Sequence, residues 1–155
     1  MPSRRTFLAA LGAGGLGALA GCTDDDPVDG RWYRAGYDDR NTGYAPQRRG
    51  PGSDPTVRWS TDVPESYHTP SPVLVDDRVY LGYTPGWPSG QSVQVGLRVL
   101  DAGTGETRRD VTVTTLTGVD TSDARYLDSL VFADGALYLV AYDGLYSLTP
   151  DGEER

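Results

Sequence analysis

One internal repeat constrains the fold of this chain more than any other feature. Ser71-Pro72-Val73-Leu74-Val75-Asp76-Asp77-Arg78-Val79-Tyr80-Leu81 aligns with Ser129-Leu130-Val131-Phe132-Ala133-Asp134-Gly135-Ala136-Leu137-Tyr138-Leu139 at a constant offset of 58. Ser, Val, Asp, Tyr and Leu match, and both copies read as strand, Asp-x turn, strand. The offset then falls to 48, where Gly96-Leu97 and Leu100 match Gly144-Leu145 and Leu148, and to 47, where Gly105-Glu106 and Arg108 match Gly152-Glu153 and Arg155. The lost residues belong to one loop, expected at 83–95, whose place is filled in the second copy by Ala141-Tyr142-Asp143. Each copy is thus a hairpin, a variable turn, a third strand ending near Asp101 or Thr149, and a tight turn through Gly-Glu.

The remaining pattern agrees. Gly and Pro punctuate the chain, β-branched and aromatic residues fill the intervals, and no 3.6-residue apolar stripe of helical length follows residue 30. Eight short strands are expected at 56–60, 72–75, 79–82, 97–100, 111–113, 130–133, 137–140 and 145–148, with no helix in the mature part. The expected fold class is all-β.

Three motifs in order carry a family resemblance. Leu100-Asp101-Ala102-Gly103-Thr104-Gly105-Glu106 resembles the turn of quinoprotein-type β-propellers, whose repeats are named after pyrroloquinoline quinone. The hairpin at 71–80 resembles their inner hairpin, and Trp32 through Asn41-Thr42-Gly43-Tyr44-Ala45-Pro46 resembles their lead-in segment. The resemblance covers residues 31–155 and implies blades of short antiparallel strands. Asp101, Gly103, Gly105 and Glu106, with Asp151, Gly152 and Glu153 in the second copy, are the expected blade-turn residues. Asp101 is expected to cap the turn while Gly103 and Gly105 supply positive φ, so the motif specifies architecture and not catalysis. The family commonly places a docking tryptophan after Gly-Glu, where this chain has Arg109; either packing between blades is weaker there or Arg109 stacks on a neighbouring aromatic ring. Trp59 reads either as such a docking residue, on an N-terminal strand completing a final blade, or as an ordinary sheet aromatic. A closed propeller needs roughly four to eight blades of about 40 residues. Residues 31–155 supply one repeat and most of another, so an incomplete propeller with open blade edges is expected, either a fragment of a longer gene product or a short protein completed by self-association.

The N-terminus speaks to location. Arg4-Arg5 followed by Phe7-Leu8 resembles a twin-arginine export signal, and Leu19-Ala20-Gly21-Cys22 resembles a lipobox. Small Ala20 and Gly21 admit a peptidase to the bond before Cys22, the only thiol and hence the expected acyl acceptor. The stretch Phe7 to Gly21, with five glycines, is shorter than the ~20 apolar residues that a transmembrane helix needs. The expected organisation is a signal peptide over 1–21, an acidic tether over 22–30 and the repeat region over 31–155. The chain is expected to sit outside the cytoplasm, on the outer face of the cell membrane, held in the bilayer by acylated Cys22.

Charge narrows the partners. All 14 cationic residues are Arg, and 18 of the 22 acids are Asp, for a formal charge of −8. Removing Arg4 and Arg5 takes it to −10. Such a surface resembles that of proteins from salt-loving archaea, where molar salt shortens screening to about 3 Å; an acidic protein from a GC-rich genome would also favour Arg over Lys. Without clustered cations nucleic acid is not an expected partner.

The residues map no catalytic site, cofactor or metal. His68, the only histidine, lies in a segment without a nucleophile elbow and reads as a loop or packing residue. Asp38-Asp39 and Asp76-Asp77 could face a hard cation but read better as solvated acids. The resemblance to quinoprotein dehydrogenases would call for a quinone pocket, a calcium site and often a vicinal cysteine pair, none of which maps here. Two functions remain: a binding or scaffold module presenting loops to protein or peptide partners, similar to the propeller lipoproteins of bacterial envelope protein assembly, or part of a quinone-dependent alcohol or sugar dehydrogenase.

Overall fold

The computed structural model describes residues 30–37, 40, 42–44, 53–63, 69–85, 92–118 and 127–155. All regular elements among them are strands: β1 (Gly30–Trp32), β2 (Val73–Asp76), β3 (Arg78–Tyr83), β4 (Ser92–Asp101), β5 (Thr107–Thr117), β6 (Leu127–Ala133), β7 (Ala136–Ala141) and β8 (Gly144–Leu148). They form a five-stranded sheet in the order β1-β2-β3-β4-β5 and a three-stranded sheet in the order β6-β7-β8. Every neighbouring pair is antiparallel.

The repeat survives as matching register. Val73 faces Tyr80 and Leu74 faces Val79 across β2–β3, while Val131 faces Tyr138 and Phe132 faces Leu137 across β6–β7, each pair shifted by the offset of 58. Both hairpins turn on an aspartate with positive φ, Asp76 at 52° and Asp134 at 49°. Asp tolerates this left-handed conformation because its short polar side chain bonds locally. The third strand follows suit: Val79 faces Leu100, and Leu137 faces Leu148.

Period-2 alternation decides what each face buries. Val73, Val75, Tyr80, Leu97 and Val99 share one face of the larger sheet, Leu130, Leu137, Leu139 and Leu148 one face of the smaller, and all nine lie in a single buried core. The sheets touch through β2 and β3 against β6. Gly82 lets the sheets approach closely at that contact, because a Cβ there would stand 3.0 Å from the end of the Leu127 side chain. Residues next to β1 stitch the two sheets together: β1 pairs with β2, while the Tyr33 carbonyl accepts the Phe132 N–H at 2.8 Å and the two rings stack at 5.8 Å.

Several expectations need correction. Residues 56–60 form no strand, although Val57 and Trp59 alternate as one would; no neighbouring strand pairs with them, and Val57 is exposed. A strand appears instead at Gly30–Trp32, one residue into the expected tether. β4 and β5 run longer than expected. Ser92–Val95, taken for loop, extends β4 and pairs with Thr114–Thr117 of β5, and Tyr83 pairs with Gly96. The Tyr83 ring covers Gly96, where a Cβ would meet it at 2.6 Å. Two register shifts in β4–β5, at Val95/Gly96 and Val99/Leu100, bend this long hairpin.

Candidate functional site

The described residues concentrate their directed interactions at the two Gly-Glu turns. In the first, Asp101 Oδ1 accepts the N–H groups of Gly103 and Thr104, both at 2.8 Å, and the Asp101 carbonyl accepts the Gly105 N–H at 2.8 Å. The Glu106 carbonyl closes the turn by accepting the Asp101 N–H at 2.8 Å. Asp101 thus caps the turn, as its residue type dictates. Gly105 has φ +76°, but Gly103 does not adopt positive φ; its smallness matters instead, since a Cβ there would lie 3.2 Å from Asp101 Oδ1. Arg108 bonds Asp101 and also Asp77 Oδ2, the latter at 2.7 Å. That guanidinium first, and then the N–H groups of Thr104 and Gly103, lower the Asp101 carboxyl to about 2. Asp77, expected to be a solvated acid, is indeed exposed, and within that solvated setting Arg108 pairs with it and holds its carboxyl below the ordinary range.

The second turn is one residue shorter and uses different chemistry. Thr149 takes the place of Asp101: its N–H donates to the Glu153 carbonyl at 2.7 Å, its carbonyl accepts the Gly152 N–H at 2.9 Å, and its Oγ1 accepts the Glu153 N–H at 3.1 Å. Gly152 has φ +83°. Asp151 does not cap; its Oδ1 lies 2.9 Å from Nη1 of Arg78 in the other sheet.

Each turn glycine receives a side chain from an earlier segment. The Trp59 indole lies on Gly105, where a Cβ would fall 2.5 Å from its ring, and its Nε1–H donates to the Ala102 carbonyl at 2.9 Å. Trp59 is therefore not a sheet aromatic, and no strand carries it: the indole packs on the turn that ends β4. At Gly152 the occupant is Val111 of β5, 3.0 Å from where a Cβ would be. Arg109 meets Glu153 at 3.4 Å in a solvent-exposed ion pair; of the two alternatives expected for it, the aromatic stack is not the contact seen. The Leu148↔Glu154 bridge then repeats the Leu100↔Thr107 pairing that begins β5. Between the second turn and β2–β3, an open cavity of about 300 Å³ is lined by Tyr80 and Phe132 together with Asp76, Arg78 and Asp151.

A second cluster went unread in the sequence. Tyr83 donates its hydroxyl to Asp110, whose Oδ2 accepts Arg98 Nε at 2.9 Å; Arg98 also lies 5.5 Å from the Tyr83 ring centroid and donates to the Asp62 carbonyl at 2.8 Å. Burial, then the hydrogen bond to Asp110, pushes the Tyr83 phenol up to about 12. The cluster ties β3, β4 and β5 to the segment holding Trp59. The sequence signal was the Tyr83–Gly96 pairing, hidden by reading 83–95 as a loop.

Arg4, Arg5, Cys22, the Asp38-Asp39 pair and His68 lie outside the described residues. Among the described residues no group of three or more His, Cys, Asp or Glu is placed to hold a metal ion, and no helix is long and apolar enough to cross a membrane. Comparison with protein families, with curated proteins and with solved structures gave no match.

Proposed function

We propose that this chain is an exported, lipid-anchored β-propeller repeat protein that serves as a binding or scaffold module on the outer face of the cell membrane. The observation that carries the reading is the repetition of one docking device, in which a hairpin of fixed register ends in a turn whose positive-φ glycine is filled by a side chain from the preceding segment. Such units stack by nearest-neighbour contacts, and stacked units present loops on a rigid frame. The charges at the turns support a structural role: Asp77, Asp101, Arg108, Arg78 and Asp151 hold one another. The export signal and lipobox supply the location, with Cys22 as the lipid-bearing residue and protein or peptide ligands as the partners.

Mass spectrometry of the membrane-bound protein tests the anchoring. A mature terminus at Cys22 carrying a thioether lipid is expected, and an intact Met1 terminus would overturn it; replacing Arg4 and Arg5 with Lys blocks export. Titration with pyrroloquinoline quinone and calcium tests the module. Absence of binding is expected, whereas saturable binding with dye-linked oxidation of an alcohol or sugar would replace this proposal with a dehydrogenase.

A further inference from the structure

The two sheets have four outer edges, and three of them are short or taken. β1 is three residues long. The edge of β6 is bonded by the Tyr33 carbonyl, which accepts the Phe132 N–H at 2.8 Å. On β8 the Arg155 N–H donates to the Ser147 carbonyl at 2.9 Å, and Glu154 bridges Leu148. β5 differs: it is 11 residues long, and among the described residues only β4 pairs with it. Natural edges are blunted by charge, proline or bulges. β5 carries its charges at Arg108, Arg109 and Asp110, whereas residues 111–117 hold no charge and no proline, and six of the seven are β-branched. The register shift at Val95/Gly96 bends the strand, yet beyond it residues 114–117 stay in unbroken register with residues 92–95. An open cavity of about 300 Å³ lies where this edge ends, lined by Thr115, Leu116 and Thr117 of β5 and by Tyr142 and Asp143 of the β7–β8 turn. Tyr142 is 56 % exposed. Asp143 is the only charged residue lining the cavity; its Oδ2 accepts the Tyr146 hydroxyl at 2.8 Å, and its Oδ1 has no partner among the described residues.

We propose that β5 accepts an extended peptide along residues 114–117, and that this peptide sets a lysine or arginine side chain against Tyr142 and Asp143. Two observations select that partner. The first is the bare edge: its N–H and C=O groups are matched by another extended backbone, which selects a polypeptide. The second is the cavity, where an exposed aromatic ring and a carboxylate stand on consecutive residues and so favour a cation, in a chain whose net charge is −8. The same net charge disfavours a second copy, whose own residues 111–117 offer no cation. The inference deepens the binding-module reading and rests on it for the existence of a peptide partner; the edge and the cavity supply the site and the chemistry.

The probe is a fluorescein-labelled peptide of about six alternating valine and threonine residues with one arginine near its end. It is titrated with the full chain in molar salt, and binding is read by anisotropy. The expected result is saturable binding, with amide hydrogen exchange slowed over residues 111–117. Methylating alternate peptide nitrogens removes the main-chain donors and should abolish binding. Replacing the arginine with glutamate should weaken it by at least about fivefold, as should Tyr142→Ala or Asp143→Asn. Glu106→Lys, a charge change in the turn at the other end of β5, should leave it unchanged. The methylated and glutamate peptides are read on the parent chain, so they decide the matter even where a variant fails to fold. No binding of the probe overturns the proposal, as does binding that methylation or the glutamate leaves intact, or slowed exchange confined to residues outside β5. Slowed exchange on concentrating the chain without peptide gives the edge to a second copy and overturns it too. Peptide bound elsewhere would leave the binding module standing, whereas quinone-dependent oxidation would remove the module itself, so the two failures are distinct.

Discussion

Replacing Gly105 with alanine tests the docking device most directly. The residue has φ +76°, so any Cβ costs about 1–2 kcal/mol from backbone strain. Gly105 carries a second burden, because its Cβ would fall 2.5 and 2.7 Å from two Trp59 ring atoms and the indole must move. Displacing a packed ring costs about 1–3 kcal/mol, and losing the Trp59 hydrogen bond to Ala102 costs about 0.5–1.5 kcal/mol. Gly135 is the internal control, with φ +73° and nothing within 4 Å of its would-be Cβ. Gly135→Ala should therefore show the backbone cost alone, and Gly105→Ala about 2 kcal/mol more, nearly 30-fold in the unfolding constant. The assay is urea unfolding in molar salt followed by circular dichroism. In a Trp59→Ala background the excess should vanish, leaving the two glycine variants equal, which makes the excess a coupling energy between Trp59 and Gly105. Equal costs in the parent chain, or an excess that persists without Trp59, would refute the docking argument.

Asp101 sits at about 2 where an unfolded carboxylate titrates near 3.9, so its contribution is present above the unfolded value and lost as pH falls toward 2. Asp101→Ala should remove part of the acid limb of the stability profile, and an unchanged limb would count against the cap. Tyr83 is raised to about 12, so its neutral form supports the fold below pH 10, and that support is lost as pH rises toward 12. In Asp110→Asn an ultraviolet titration should find the phenol ionising at lower pH; no shift would mean that burial acts alone. With −8 on 155 residues and no lysine, circular dichroism should show the fold strengthening from low to molar salt, and equal stability at both ends would remove the screening argument.

Register was legible in the sequence because both hairpins put Asp at the same left-handed position of the turn. Asp76 and Asp134 fixed the offset of 58, and the apolar alternation around them fixed the face. Lone segments were harder to read. Val57 and Trp59 alternate like a strand, but a strand requires a partner, and alternation cannot say whether one is near. Gly30–Trp32 erred the other way, since three residues hold no period and are a strand only because the edge of β2 accepts them. The extension of β4 was masked by the repeat itself: the second copy is short between β7 and β8, so the extra Ser92–Val95 looked like an insertion without structure. Asp101 announced its cap, whereas the docking of Trp59 and the Tyr83–Asp110–Arg98 cluster join residues 12 to 46 positions apart, which no local pattern encodes.

The two turns show where such a repeat is free to change and where it is not. Asp101 gives way to Thr149 as cap, Trp59 to Val111 as docking side chain, and an ion pair between Arg109 and Glu153 is added, yet the positive-φ glycine and the closing hydrogen bond are the same in both. The invariant parts are those that the backbone path demands, because only glycine combines φ near +80° with a neighbour at 3.0 Å or less. The parts that vary are contacts between units, each needing to fit one neighbour alone. A stack of units held by nearest-neighbour contacts gains its order from such differences, since an indole shaped for Gly105 does not match the pocket that Val111 fills at Gly152. Exchanging the two docking residues, Trp59→Val with Val111→Trp, should therefore cost more than the sum of opening one site and crowding the other would suggest if the sites were interchangeable. Two unchanged interfaces after the exchange, read as an unaltered urea midpoint, would show that the glycine turns impose no order on the sheets.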